Sequence, residues 1–166
     1  NYVIPVVTTI NKDEFVYSLN KCITHLYQDV PIEKQIPREL IIAQAAIETG
    51  WGKSRFANEA NNLFGIRTWN KEEEYMLPIP WKKWPGWGVR VFASKCDSVK
   101  EYVRLLNTHP AYKEFRTARQ VMLDNNKQLD SIVLIKTLDA FSTTADYDKR
   151  VIRMIKRIRK LEEANK

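Results

Sequence analysis

Between Ile41 and Trp69 the chain reads IIAQAAIETGWGKSRFANEANNLFGIRTW, and no other stretch limits its folding choices so tightly. Leu40, Ile41, Ala43, Ala45, Ala46 and Ile47 crowd into one helical segment that must be buried, since exposing that run would forfeit its apolar transfer energy. Glu48 then closes the run, followed by Thr49, Gly50, Trp51 and Gly52. A carboxylate in the last helical turn meets the negative end of the macrodipole. Apolar neighbours and a nearby indole disfavour its ionised form further, so its pKa is expected to rise. A carboxyl group held protonated near neutral pH is suited to general-acid work. The alternative is a solvated glutamate on the last turn, which composition alone makes the default.

The rest of the chain reads as a frame around that segment. Residues 1–10 are β-branched around Pro5 and are expected to form an extended arm, ahead of a single domain over 11–166. Asn11 and Glu14 make a capping-box variant for a helix running to about Gln28, with Phe15, Leu19, Cys22, Ile23, Leu26 and Tyr27 on its buried face. Pro37 suits the start of the helix Arg38–Thr49, and Gly50 suits its left-handed C-terminal position. A short helix over Lys53–Ala60, anchored by Trp51 and Phe56, leads to an Asn61-Asn62 turn.

Leu63–Trp69 is strand-like, Val89–Phe92 alternates, and between them lie Pro78, Pro80, Pro85, Gly86 and Gly88 with Trp81, Trp84 and Trp87. That composition excludes helix and predicts a small antiparallel β-hairpin lobe over about residues 63–92, carrying an aromatic loop. Beyond it the period is helical again. Asp97 is expected to cap Ser98–Asn107, and Pro110 to restart a short helix over Ala111–Arg116. Thr117–Asn125 and Leu129–Asp139 follow, the latter with Ile132, Val133, Ile135 and Leu138 as core. Asp146 is expected to cap a last helix lined by Tyr147, Val151, Met154, Ile155, Ile158 and Leu161. The fold class is therefore mainly α (α+β), with a minor β lobe.

At 166 residues one domain is the natural expectation. No apolar run reaches the length of a bilayer span, so no integral membrane segment is expected. The net charge of +7 favours an acidic polymer, although the basic residues of the last helix read as its solvated face. No nucleic-acid motif accompanies that charge, and no nucleic-acid partner is expected. Cys22 and Cys96 form no metal-binding pattern with His25 or His109. They read as buried thiols, with pairing left open for an exported protein, and neither metal nor cofactor is expected.

Residues 43–52 (AQAAIETGWG), Ser54 and Asn61-Asn62-Leu63-Phe64-Gly65-Ile66 together resemble the signature of the family 73 glycoside hydrolases. These are peptidoglycan-cleaving β-N-acetylglucosaminidases of the lysozyme-like superfamily. Gly65-Ile66-Arg67-Thr68-Trp69-Asn70 and the later Leu106-Asn107-Thr108-His109-Pro110-Ala111-Tyr112 are closer to its Bax-like subgroup. The resemblance spans about Ile36 to Lys156. It implies a lysozyme-like helical domain that cuts the β-1,4 bond after N-acetylglucosamine in cell-wall glycan strands. A monomer in the periplasm or outside the cell, associated with the wall, is expected. A wall-binding module that keeps the cleft without turnover is the alternative.

Glu48 matches the family's catalytic acid. The family's second carboxylate lies on the hairpin lobe, more than thirty residues further on, but residues 75–96 contain no acid. Of Glu72, Glu73 and Glu74, the one nearest the strand, Glu74, is the candidate here. A family segment resembling Tyr-Ala-Thr-Asp-Pro-X-Tyr corresponds to residues 141–147. Tyr147 matches its last position, while Phe141 replaces the first tyrosine. Under the resemblance Tyr147 orients the substrate acetamido group or stabilises charge developing on the sugar. Trp51, Asn62, Phe64 and Trp69, in or beside the signature, are candidates for gripping sugar rings and amides. Trp84 joins them from the Pro/Gly-rich loop, where several indoles are hard to bury together. Without a second acid, the substrate's own acetamido group becomes the expected nucleophile.

Overall fold

A computed structural model describes residues 3–78 and 83–166. The arm over residues 3–10 has no regular structure, but it is tied down: Val7 is buried and the Thr8 amide donates to Ser18 Oγ at 2.9 Å. Helix α1 (Lys12–Tyr27) begins where Asn11 accepts a hydrogen bond from the Glu14 amide at 2.8 Å, as the capping pattern predicts. Helix α2 (Arg38–Thr49) ends on Gly50, whose φ of 56° is left-handed. Helix α3 (Arg55–Ala60) is capped by Ser54 and anchored by Ala57 and Ala60, while Phe56 is only half-buried.

Strands β1 (Arg67–Thr68), β2 (Tyr75–Met76) and β3 (Gly88–Arg90) form the minor lobe. Their order is β1-β3-β2, both pairings antiparallel, with Arg67 opposite Val89 and Tyr75 opposite Arg90. The lobe is thus no simple hairpin. The last strand inserts between the first two and pairs along both of its edges. Its core-facing Val89 is buried, and the Arg90 amide donates onward to Ile66 O at 2.9 Å.

Helix α4 (Lys95–Thr108) starts three residues earlier than a cap at Asp97 predicts. Ser94 is its N-cap, accepting from the Asp97 amide at 3.1 Å and donating its hydroxyl to the Asp97 carboxylate at 2.8 Å. Asp97 sits in the first turn, where the dipole favours it. A short 3₁₀ turn at Pro110–Tyr112 leads into α5 (Lys113–Asp124), which runs unbroken where two helices were expected. Helix α6 (Ser131–Ile135) is shorter than predicted, capped by Asp130, and leaves Val133 exposed. Helix α7 (Tyr147–Ala164) buries Tyr147, Val151, Ile155 and Ile158 along α2. Asp146 precedes it in a left-handed conformation and makes no capping bond with its side chain.

Leu40, Ile41, Ile42, Ala43 and Ala45 are fully buried on α2, which packs against α1, α6 and α7. Full burial is worth about 1.5–3 kcal/mol for each of the larger side chains, so α2 is pinned and its C-terminal turn is held in place. Cys22 of α1 and Cys96 of α4 form a disulfide, with Cα atoms 5.7 Å apart, in place of two free thiols. Among the described residues, no helix is long and apolar enough to cross a membrane.

Candidate active site

A cleft of about 1040 Å³ opens between the helical body and the β lobe, and Glu48 lies in its wall. The helix that carries Glu48 ends abruptly because the Thr49 hydroxyl both donates to Ala45 O at 2.6 Å and accepts from the Gly52 amide at 2.7 Å. Gly50, Trp51 and Gly52 then take φ values of 56°, 63° and 83°, a tight left-handed reversal. That turn delivers the chain away from Glu48 and leaves its side chain facing open space. The carboxyl surface is open to the cleft, yet the protein packed around it raises its pKa by desolvation. The Tyr147 hydroxyl and the more distant Arg150 charge oppose the rise.

Behind Glu48 runs a buried relay. Tyr102 donates its hydroxyl to Gln44 Oε1, and Gln44 Nε2 donates to the Tyr147 oxygen at 3.3 Å. Having accepted from Gln44, Tyr147 keeps its own proton for the Glu48 carboxylate. Burial and the Glu48 charge both hold the Tyr147 phenol well above its usual pKa, so it stays a neutral donor. Gln44 stands one helical turn before Glu48, on the same face, fully buried in an otherwise apolar segment. A polar side chain in such a run was the available sequence signal for this relay, and it went unused. Phe141, which replaces the family tyrosine, lies nearly parallel to Tyr147 at 6.1 Å and edge-on to Tyr102 at 5.8 Å, forming an apolar wall.

Across the cleft, Gly65 brings the backbone up to the acid. Its φ is +66°, and a Cβ there would stand 3.9 Å from Glu48 Oε2. Asn62, expected to grip substrate, is instead fully spent on the protein. Its amide donates to Ile66 O and Arg90 O, both at 2.9 Å, and its oxygen accepts from the Phe64 and Ile66 amides. It ties the lobe to the body, so its role is to hold the cleft's shape. Phe64 lines the cleft from within the core, stacked on Tyr102 at 4.3 Å. Trp69 is 70% exposed on the lobe and also lines it, free to offer a ring face.

Two of the expected aromatic contacts lie elsewhere. Trp51 is buried at the other side of α2, edge-on to Phe15 and flanked by the Lys12 and Arg157 cations. The left-handed reversal swings it away from the cleft, where it packs core. Trp84 rests edge-on against Tyr75 at 4.5 Å and is half-buried there, outside the cleft wall. Trp87 is the loop indole that reaches the wall, and Trp81 lies outside the described residues.

Of the lobe carboxylates, the one that reaches the cleft is not Glu74. Glu74 is exposed, with its backbone carbonyl taken by the Val91 amide at 3.1 Å, and it does not line the cleft. Glu73 does. The turn closed by its amide on Asn70 O at 3.1 Å folds its side chain back, and Thr68 donates a hydroxyl to Glu73 Oε2 at 2.5 Å. Glu101 is a third carboxylate in the wall, held by Arg104 and, at 3.4 Å, by Arg90. Among the described residues, no cluster of side chains is arranged to hold a metal ion.

Comparison with known proteins agrees with this geometry. Protein bax of Escherichia coli K12 is 36% identical over 108 residues, covering 65% of this chain and 37% of that protein. The peptidoglycan hydrolase FlgJ of the same strain is 24% identical over 139 residues, covering 77% of this chain and 42% of that one. The chain thus spans about two fifths of the length of these relatives. The catalytic domain of the autolysin Auto from Listeria monocytogenes superposes with a TM-score of 0.66 at 19% identity, over 95% of this chain and 90% of that one. The profile described as glucosaminidase, mannosyl-glycoprotein endo-beta-N-acetylglucosaminidase, matches residues 24–160. With most of its length inside that match, the chain belongs to the glucosaminidase family of glycoside hydrolases.

Proposed function

We propose that this domain is an endo-β-N-acetylglucosaminidase that cleaves the β-1,4 bond after N-acetylglucosamine in peptidoglycan, with Glu48 as general acid. The observation that carries the reading is the Glu48 carboxyl: open to the cleft, raised in pKa by its surroundings, and faced by a tyrosine hydroxyl whose orientation Gln44 sets. The relatives bearing the name peptidoglycan hydrolase support the choice of polymer.

In the proposed reaction, protonated Glu48 gives its proton to the bridging oxygen as the bond to the anomeric carbon breaks. The acetamido carbonyl oxygen of the same sugar attacks that carbon, closing an oxazolinium ring. Water then opens the ring, with the Glu48 carboxylate taking back a proton, and the configuration is retained. Tyr147 is placed to stabilise the carboxylate formed in the first half. Trp69 and Trp87 supply ring faces for neighbouring sugars.

The Cys22–Cys96 disulfide supports action in an oxidising compartment, the periplasm or the cell exterior, where wall glycan is found. The deciding experiment is release of reducing ends from purified cell walls, followed by mass analysis of the new termini. Termini in N-acetylglucosamine, absent with Glu48→Gln, are expected. Wall binding without any new termini from the unmodified protein would instead favour the turnover-free wall-binding module.

A further inference from the structure

Three arginines line the cleft, and their partners differ. Arg104 grips Glu101 through Nε at 3.1 and 3.0 Å and through Nη2 at 2.5 Å, and Arg90 Nη1 reaches the same carboxylate at 3.4 Å. Glu101 therefore engages both cations of that pair and offsets one of their two charges. Arg67 has no such partner: among the described residues no carboxylate is within ion-pair range of it. Its guanidinium lies 3.8 Å from the centre of the Trp87 ring. Such stacking fixes the plane of the cation while leaving the in-plane N–H donors uncommitted. Planar, fixed donors on an unpaired cation are what bidentate capture of a carboxylate requires.

Arg67 is also well placed along the cleft. It lies on the edge strand β1, two residues beyond Gly65, whose Cβ position is 3.9 Å from the Glu48 carboxyl. Arg67 and Glu48 line the same cleft, so a glycan seated against the acid runs past the guanidinium with its adjoining sugars.

We propose that Arg67, backed by Trp87, is a carboxylate subsite that selects glycan strands bearing an anionic substituent over neutral N-acetylglucosamine polymers. This deepens the proposed function and rests on it. In wall glycan the carboxylate has two sources: the lactyl ether itself where the peptide has been removed, or the peptide attached through it.

The test uses the folded Glu48→Gln protein, so that binding is read without turnover, and three short glycans of equal length. One is a neutral N-acetylglucosamine oligomer, one carries free lactyl carboxylates, and one carries peptides. Calorimetry gives the dissociation constant of each at low and moderate salt, with and without Arg67→Gln. The ratio of neutral to anionic dissociation constants is expected to fall roughly tenfold with Arg67→Gln. Arg67→Lys should retain part of the preference, and Lys113→Gln, outside the cleft, all of it. Loss confined to the lactyl glycan identifies that carboxylate, and loss confined to the peptide-bearing glycan identifies the peptide. Equal weakening of all three, or a ratio unchanged by Arg67→Gln, overturns the subsite. Failure of every glycan to bind, together with no cleavage by the unmodified protein, overturns the proposed function instead.

Discussion

Gln44 Nε2 donates to the Tyr147 hydroxyl oxygen at 3.3 Å, and that single bond decides which way the Tyr147 proton points. With one lone pair occupied from α2, the phenol's proton is directed to Glu48. The arrangement couples the last helix to the end of the helix that carries the acid. Helix α7 therefore contributes to the site as well as to the core.

The coupling has a signed consequence for pH. Tyr147 stabilises the ionised form of Glu48, so it lowers a pKa that burial raises. Tyr147→Phe removes the lowering part and leaves the burial. The alkaline limb of the kcat/KM profile, where the acid loses its proton, is expected to move to higher pH while the maximum rate falls. A limb that stays fixed or moves to lower pH would remove Tyr147 from contact with the acid.

Glu48→Gln is expected to lower hydrolysis by roughly a hundredfold or more, because the amide keeps the shape but gives no proton. The same change bears on stability. A carboxyl whose pKa is raised on folding contributes stability that is full below its unfolded pKa and lost as pH rises through the folded value. As pH rises towards and past the folded value, ionising Glu48 therefore opposes folding, and Gln does not. The variant should melt at or above the parent temperature near neutral pH, with the difference vanishing below about pH 4, near the unfolded carboxyl value. A variant that melts lower at pH 7 would show that the carboxylate is favourably held there.

The Cys22–Cys96 bridge closes a separation of 74 residues between α1 and α4. Chain-entropy reasoning puts its stabilisation on the order of 4 kcal/mol. Replacing both cysteines by alanine should lower the melting temperature on the order of 10 °C. Calorimetry with and without reductant checks it: reductant should lower the melting point of the parent protein and leave that of the variant unchanged. A double variant melting within a degree or two of the parent would contradict the estimate.

The helices were legible where local signals act alone. The Asn11 cap, the Gly50 stop and the apolar run of α2 are all decided within a turn of sequence. The signature also carried Glu48 and the general position of Tyr147. Residues whose role depends on distant chain were not legible. β3 slots between strands far earlier in the chain, and nothing local says that it takes the middle. Trp51 looks like a cleft aromatic until three consecutive left-handed residues turn it around to Phe15. Asn62 resembles a ligand-gripping amide until four backbone groups claim it. Glu73 and Glu74 differ by one position, and only the turn onto Thr68 decides which faces the cleft.

That last distinction can be tested by rate. If the substrate acetamido group is the nucleophile, the chain needs to hold the charge on Glu48 and little else at the anomeric centre. Tyr147→Phe should then cost more than Glu73→Gln, which leaves the Thr68 hydrogen bond in place and removes only charge. If Glu73 instead serves as the base for a water, Glu73→Gln should cost roughly a hundredfold or more. Its product would then show inverted configuration in the parent enzyme. Glu74→Gln should change little under either mechanism, because its side chain faces solvent. We expect the order Tyr147→Phe, then Glu73→Gln, then Glu74→Gln, with retention of configuration in the products. A greater loss from Glu73→Gln than from Tyr147→Phe would assign the second catalytic role to the lobe.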